Sequence, residues 1–374
     1  MRTVCQSCSH LLDGGKGICD VCGAVAIRPL RDKVGLELQD GLTPILQSRL
    51  PELDGTWLKL ESANETGSFK DRIMRVLVRE AAEAGHSLAV VASSGNAAIS
   101  ASFFCSREGL RLVVIVPATL PPVALGLLAR FPIMILQFGN GPSESHDLAR
   151  RLAELLGVPN LSSTFSSSGA EMGCRTIGHE IGHQLSGERV ATVAASISVG
   201  PVLLGTRNGL LESGNSEPVM VAGQALGCSP ITRAFETGAP EVNPWLEPVT
   251  TKAASIADTL VPYADEATFF LQRLRESKGF MAAADDETLF AIRRKLREID
   301  GVDVEIACCA AIHALVQSGR VGRESVAVLT GSGQRETLRD AEALEANRHP
   351  GSRIVPEVDG MLVSVAKEVA AWAK

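Results

Sequence analysis

Glu61-Ser62-Ala63-Asn64-Glu65-Thr66-Gly67-Ser68-Phe69-Lys70-Asp71-Arg72 joins an apolar run at residues 56–60 to an amphipathic stretch at 68–84. The run reads as a strand. The stretch reads as a helix, with Phe69, Ile73, Val76 and Leu77 recurring on one face. The residues between them are small and polar, so a strand turns into a helix whose opening carries a lysine. The same unit returns downstream. An apolar strand at 88–92 meets Ser93-Ser94-Gly95-Asn96 and then a small-residue helix at 97–108. Strands at 112–116 and 133–137 alternate with helices at 123–129 and 143–156, and the apolar runs 190–197, 219–223 and 326–329 continue the series. Such alternation predicts a mostly parallel sheet with helices on both faces. Residues 239–256, with Pro240, Pro244 and Pro248, and residues 348–356 read as surface loops.

Open sheets of this class bind ligands where strands end and helices begin. Three such turns stand out: 64–70, which ends in Lys70; Ser93-Ser94-Gly95-Asn96; and Ser198-Val199-Gly200-Pro201, after the run 190–197. A small-residue turn at a helix N-terminus presents free N–H groups and the positive end of the dipole, so it can seat phosphate or carboxylate. Taken singly, each is also what an ordinary helix cap looks like.

At 374 residues the chain has room for two domains, and 45% hydrophobic with 21% charged residues is an ordinary globular balance. A net charge of -7 argues against nucleic acid as the partner, because phosphate neutralisation needs a basic field. No uncharged apolar run of 18 residues occurs, so a membrane span is not expected and the location reads as cytoplasmic. Of nine cysteines, Cys5, Cys8, Cys19 and Cys22 form paired CxxC turns, and residues 1–24 read as a zinc-ribbon-like module of their own. Two such turns offer four thiolates in a tetrahedron, a closed set suited to structural Zn. The remaining cysteines, Cys308 and Cys309 included, sit in apolar or mixed segments and read as core.

The lysine turn and the run Ser93–Ser102 together resemble the fold-type-II pyridoxal-phosphate (PLP) enzymes, and most of all the threonine synthases, with kin in threonine dehydratase and the cysteine synthases. Further segments resemble the family in the same order. Residues 171–181 resemble its E-G-Q-K-T-x-A-x-E-I segment, and 221–235 and Ser255-Ile256-Ala257-Asp258 follow. Val304-Glu305 and Leu329-Thr330-Gly331-Ser332-Gly333 complete the series, so that the likeness covers roughly residues 1–335. A cysteine-rich N-terminal module is also common in threonine synthases.

The resemblance implies a two-domain, tryptophan-synthase-β-like α/β architecture: 25–84 and 160–374 as the large PLP-binding domain, 85–159 as the small one. It implies a PLP Schiff base on Lys70, which would also remove the substrate Cα proton. Asn96 would bond the cofactor's phenolic oxygen, Ser198, Val199 and Gly200 its phosphate, and Thr330 its pyridine nitrogen. A hydroxyl at that nitrogen, in place of an acid, favours elimination and replacement. Ser93, Ser94 and Gly95, with Thr66 and Asn96, would hold a small amino-acid substrate. The implied reaction is conversion of O-phosphohomoserine to threonine, with β-elimination or β-replacement on a serine- or threonine-like amino acid as the alternative, in a homodimer.

Two departures bear on the substrate. The phosphate turn is richer in glycine or asparagine in the family, and Pro201 has no N–H to donate. Threonine synthases also carry an arginine just before the E-G-Q-K-T segment, where this chain has Ala170. Arg175, at that segment's lysine position, is the residue expected to compensate. A competing motif is His179-Glu180-Ile181-Gly182-His183, which matches HExxH, the helical zinc-protease signature. The further ligands of a metzincin are missing, with Ser186 and Arg189 in their places, and Glu212 lies at the edge of a gluzincin's range. A solvated helix face is therefore the preferred reading of both histidines, as it is for the basic residues 293–297. A third possibility is a non-catalytic scaffold. Residues 362–372 read as an amphipathic helix packed on the body or on a subunit interface.

Overall fold

The computed structural model describes residues 2–5, 11–13, 26–27, 42–334, 353–355 and 362–373. Strands β1 (Arg2–Cys5), β2 (Leu11–Asp13) and β3 (Ala26–Ile27) form an antiparallel sheet in the order β2-β1-β3. Of the four expected zinc ligands, Cys5 ends β1, while Cys8, Cys19 and Cys22 lie outside the described residues.

Next in the chain come β4 (Ile45–Gln47), β5 (Trp57–Leu60), α1 (Lys70–Glu83), β6 (Leu88–Ala92), α2 (Asn96–Glu108), β7 (Arg111–Val116), α3 (Pro122–Leu128), β8 (Met134–Gln137) and α4 (Pro142–Leu156). They are followed by α5 (Ser168–Gln184), β9 (Thr192–Ser196), α6 (Pro201–Glu212), β10 (Val219–Ala225), α7 (Pro230–Glu236), α8 (Ala264–Glu276), β11 (Phe280–Ala284), α9 (Asp286–Lys295), α10 (Cys309–Gln317) and β12 (Ser325–Leu329). The edge strand β13 (Arg353–Val355) and α11 (Leu362–Trp372) complete the described chain.

Two compact units result: the described residues within Met1–Phe69 and Thr164–Glu336, and those within Lys70–Ser163 and Thr337–Lys374. The division falls immediately before Lys70 and after Ser163, where the resemblance had implied 84/85 and 159/160, and it assigns α11 to the second unit.

The first unit is built on a six-stranded sheet ordered β11-β10-β9-β12-β5-β4, parallel except for β4. Every residue of β9 and β12 is buried. This is what a parallel strand covered on both faces requires, and it explains their continuous apolar runs. Packing is closest where glycines remove side chains. A Cβ on Gly223 of β10 would meet the Ala310 carbonyl of α10 at 2.0 Å, and one on Gly209 of α6 would meet the Arg175 carbonyl of α5 at 2.0 Å. The second unit carries the parallel sheet β13-β8-β7-β6. Val365, Ala366 and Val369 of α11 share its core with β6, β7, β8 and α4, so this helix packs on the body. Part of the loop expected at 348–356 is strand: β13 pairs with β8 in parallel register, Ile354 against Ile135. Three residues carry too little pattern to announce a strand. No helix among the described residues is long and apolar enough to cross a membrane.

The α5–α6 contact gives a direct test. Gly209→Ala forces backbone apart in a packed seam and is expected to cost roughly 1–3 kcal/mol, read as a drop in melting temperature. An unchanged melting temperature would show that the seam can open without cost.

Candidate active site

In the first unit β9, β12 and β5 are neighbours, so the turns leaving their carboxyl ends emerge side by side: 197–200, 330–333 and 61–69. The lysine turn has little regular structure and is held by specific bonds. Glu61 is fully buried, and its carboxylate accepts from Thr43 Oγ1 at 2.7 Å and from Asn64 Nδ2 at 2.7 Å. Gly67 N–H then bonds the Asn64 carbonyl at 2.8 Å, closing the turn at a φ of +84° that suits glycine. Residues 67–69 continue as a strap along the turn after β12. Ser332 N–H donates to the Gly67 carbonyl at 2.8 Å, Ser68 pairs antiparallel with Gly331, and Phe69 N–H donates to the Thr330 carbonyl at 2.9 Å. The next residue is Lys70.

The Thr330 side chain is nearly buried. Its hydroxyl lies 3.4 Å from Ser196 Oγ and 3.4 Å from Cys308 Sγ, both of them neutral groups. Burial pushes the Cys308 thiol up to about 12, with Glu305 adding to the rise, so it stays protonated. Ser198, Val199 and Gly200 lead into the twelve-residue helix α6. Among the described residues their N–H groups and the Ser198 hydroxyl have no hydrogen-bond partner. Gly200 adopts a φ of +127°, and a Cβ there would strike the Phe270 ring at 2.2 Å. Only glycine lets the backbone lie this close to α8. A helix N-terminus with three adjoining free N–H groups is an anion cradle.

In the second unit Lys70 opens α1, and its Nζ donates to Ser163 Oγ at 2.8 Å. Residues 159–161 run alongside β6, with Asn160 opposite Val90 and Leu161 N–H bonded to the Val90 carbonyl at 2.8 Å. The turn Ser93–Gly95 is half-buried to exposed and is closed by Gly95 N–H on Ser93 Oγ at 3.2 Å. Asn96 begins α2. Thr66 lies half-buried in the lysine turn of the first unit.

Ser163, Ser196 and Phe270 escaped the sequence reading, and Cys308 was read there only as core. None belongs to a short motif. Ser163 could have been suspected only from the register of 159–161 beside β6. The basic segment 293–297 also needs correction, because Arg293 is buried and donates to Asp303 and to the Gly333 carbonyl, each at 3.3 Å. Cys308 and Cys309 are core, as expected.

The two doubtful motifs resolve into packing. Arg175 is bonded inside the protein. Its Nε donates to both oxygens of Glu171 at 2.9 Å, its Nη1 to Glu212 at 2.8 Å, and Asn208 adds a bond of 2.7 Å to Glu171. Burial works against its charge, but the two carboxylates outweigh burial and raise its pKa above the ordinary range. A guanidinium so engaged is not available to compensate for Ala170. In the HExxH segment His179 bonds Glu212 at 2.8 Å, Glu180 points inward to Lys59 Nζ at 2.6 Å, and His183 is exposed. No group of three His, Cys, Asp or Glu able to hold a metal occurs among the described residues.

One acid near the start of α8 stands apart. Glu266 is buried; its Oε1 accepts from Thr164 Oγ1 at 3.2 Å, and its Oε2 has no hydrogen-bond partner among the described residues. Burial lifts its pKa from the carboxylate range to about 8.

A family model described as pyridoxal-phosphate dependent enzyme matches residues 36–333. The chain is 31% identical over 324 residues to a threonine synthase of Methanosarcina acetivorans, covering 82% of this chain and 77% of that one. It is 27% identical to a threonine synthase of Halalkalibacterium halodurans, covering 83% and 88%. Among solved structures, threonine deaminase isoform 2 of Solanum lycopersicum superposes with a TM-score of 0.66 at 16% identity, over 88% of this chain and 84% of that one. Maize serine racemase superposes with a TM-score of 0.65 at 17% identity, over 82% and 92%. These two likenesses establish the parallel-sheet α/β fold.

Two measurements test this geometry. Glu180→Gln strands the buried Lys59 charge and is expected to cost about 3–5 kcal/mol, whereas His183→Ala stays within about 0.5 kcal/mol. Equal effects, or loss of bound metal from both variants, would restore the zinc-protease reading. The second concerns pH. Glu266 holds its proton more tightly folded than unfolded, so its contribution to stability is complete below the ordinary carboxylate pKa. That contribution falls as pH rises and is gone above about 8. Glu266→Gln should flatten the decline in melting temperature between pH 5 and 8; parallel curves for both proteins would refute it.

Proposed function

Because this chain belongs to the pyridoxal-phosphate dependent enzymes, we propose that it carries out elimination and replacement on an amino acid with PLP held on Lys70, and that its reaction is that of a threonine synthase. The observation that carries the reading is Lys70 itself: a lysine at the first turn of α1, at the end of a strapped turn, in a chain 31% identical to a threonine synthase.

The residues present suit the cofactor. The unpartnered N–H groups of Ser198, Val199 and Gly200 at the start of α6 suit a phosphate, with Pro201 at the one position that needs no donor. Thr330, backed by a hydroxyl and a thiol, suits an unprotonated ring nitrogen. Asn96 is assigned to the phenolic oxygen. Thr66, Ser93, Ser94 and Gly95 are assigned to the substrate, whose carboxylate the small-residue turn binds through hydroxyls and N–H groups. When bound, PLP supplies an electron sink for the charge left at the substrate Cα. Lys70 Nζ carries the proton taken from that carbon, and Ser163 Oγ orients the amine through the 2.8 Å bond. For O-phosphohomoserine the chain would then release phosphate from Cγ and direct water to Cβ.

A second reading has one observation in its favour. With Ala170 lacking a side-chain cation and Arg175 spent on Glu171 and Glu212, this segment offers no guanidinium to a leaving phosphate. β-Elimination or β-replacement on a serine- or threonine-like substrate needs none. We further assign a structural zinc to Cys5, Cys8, Cys19 and Cys22, and a cytoplasmic homodimer to the assembly.

The purified protein with PLP is expected to show a violet absorbance band, and borohydride should fix the cofactor to Lys70. Lys70→Ala should lose both, and turnover should fall by at least roughly a hundredfold. Absence of the band from the unaltered protein would overturn the assignment. Phosphate released from O-phosphohomoserine supports the threonine synthase reading. A 2-oxo acid formed from serine or threonine, without phosphate release, supports the second. Elemental analysis should find one zinc per chain that Cys8→Ser loses; a metal-free native protein would remove the zinc.

A further inference from the structure

Cys308 occupies the end of a short 3-10 turn, Ile306–Cys308, directly before α10, and it is fully buried. Its sulfur meets the turn after β12 at three points. Gly331 N–H donates to it at 3.3 Å, the Thr330 hydroxyl lies 3.4 Å away, and the Gly331 carbonyl lies 3.5 Å away. That carbonyl already accepts from Glu305 N–H at 3.0 Å. The thiol proton has two acceptors in reach, this carbonyl and the Thr330 hydroxyl, and Thr330 is the nearer one and carries no main-chain donor at its oxygen. Ser196 Oγ, 3.4 Å from the same hydroxyl, has Thr330 as its hydrogen-bond partner among the described residues.

A hydroxyl has one proton and two lone pairs. If Cys308 and Ser196 each donate, both lone pairs are engaged and the Thr330 proton is left to point away from the protein. Reversing either bond spends that proton inward. The polarity of the pair thus decides whether Thr330 can donate to a ring nitrogen. Gly331 is also the residue that pairs with Ser68, so the same sulfur holds the strap two residues before Lys70.

We propose that Cys308 is a positioning residue: its thiol turns the Thr330 hydroxyl outward as a donor to the pyridine nitrogen and staples Gly331 under the lysine turn. The inference rests on the PLP reading above and concerns one side chain within it. A thiol suits the task. It accepts from Gly331 and donates to Thr330 at once, and in this buried setting it does not ionise across the physiological range. Alanine keeps the packing approximately and removes both bonds. Serine keeps both kinds of bond on a shorter arm.

The test uses the full-length, PLP-loaded protein and reads the cofactor spectrum and the PLP dissociation constant, with melting temperature alongside. Cys308→Ala is expected to weaken PLP binding roughly 3- to 10-fold, as loss of one or two modest hydrogen bonds would, and to shift the violet band or the pH at which it bleaches. Cys308→Ser should restore the spectrum and most of the affinity. A role confined to packing would lower the melting temperature of Cys308→Ala and leave the band and its pH dependence unmoved; that result overturns the proposal, as does a serine variant no better than alanine. Should Cys308→Ala fail to fold, Cys308→Val fills the space without a proton and is held to the same criteria. A violet band in the unaltered protein that is untouched in Cys308→Ala sinks only this inference, whereas no band in the unaltered protein sinks the PLP reading beneath it.

Discussion

Gly67 and Phe69 are each tied by a main-chain bond to the turn that leaves β12, and Ser68 between them pairs with Gly331. A lysine side chain carries four rotatable carbons, so where its amine can act depends on how firmly its Cα is held. Here the holding is done by backbone, one residue upstream, against a turn that leaves a fully buried central strand. Such an anchor is stiff because moving it means breaking several paired N–H and C=O groups together. The turns after β9 and β12 inherit their positions from the same sheet, so the cradle at Ser198–Gly200 and the hydroxyl of Thr330 are placed by strand order before any side chain is considered.

The polar groups beneath the lysine turn follow a second logic. Lys59 is fully buried, yet its ammonium has three partners: Glu180, Gln184 and the Thr43 carbonyl. Thr43 in turn bonds Glu61, and Glu61 bonds Asn64 at the start of the turn. A buried ion pair adds little net stability once desolvation is subtracted, but it is costly to break. What it contributes here is uniqueness of arrangement, linking α5, β5 and the lysine turn through groups that must all be satisfied together. Glu180 is therefore needed where it stands for a reason unrelated to metal, and the HExxH spacing is the by-product of a helix with one face turned to this network and the other to Glu212 and solvent.

These contrasts explain what could be read from the residues alone. The long apolar runs of β6, β7, β9 and β12 and the helices between them were legible because burial on both faces leaves a continuous hydrophobic signature. So were Lys70, Asn96 and Ser198–Gly200 as turn residues at helix openings. The antiparallel strand β4 and the edge strand β13 were not, since three residues hold no usable period. Ser163 and Ser196 were invisible for a different reason, and Cys308 was legible only as core: each bonds a side chain between 22 and 134 positions away, and a small polar residue in an apolar segment reads as ordinary core. Arg175 and Arg293 were misjudged in the same way, because charge in a sequence suggests solvent or ligand until the partner carboxylates are seen.

The cofactor side and the substrate side of this chemistry also make unlike demands on a sequence. Phosphate held by N–H groups at a helix start, or a ring nitrogen met by a hydroxyl, depends mainly on backbone position, and Pro201 or Gly200 can be accommodated so long as the turn keeps its shape. Recognition of a substrate's own phosphate depends on a particular cation aimed at a particular point, which a single replacement abolishes. In this chain the N–H groups of Ser198–Gly200 stand without partners at the start of α6 among the described residues. In the segment before it, Ala170 is fully buried in the first turn of α5, and Arg175 is held by two carboxylates, one of which Asn208 also bonds. Among the described residues Glu171 accepts from Arg175 and Asn208, so turning that arginine outward would leave Glu171 buried with Asn208 as its remaining partner there. The cost of that rearrangement, more than the absence of one side chain, is what keeps Arg175 turned inward.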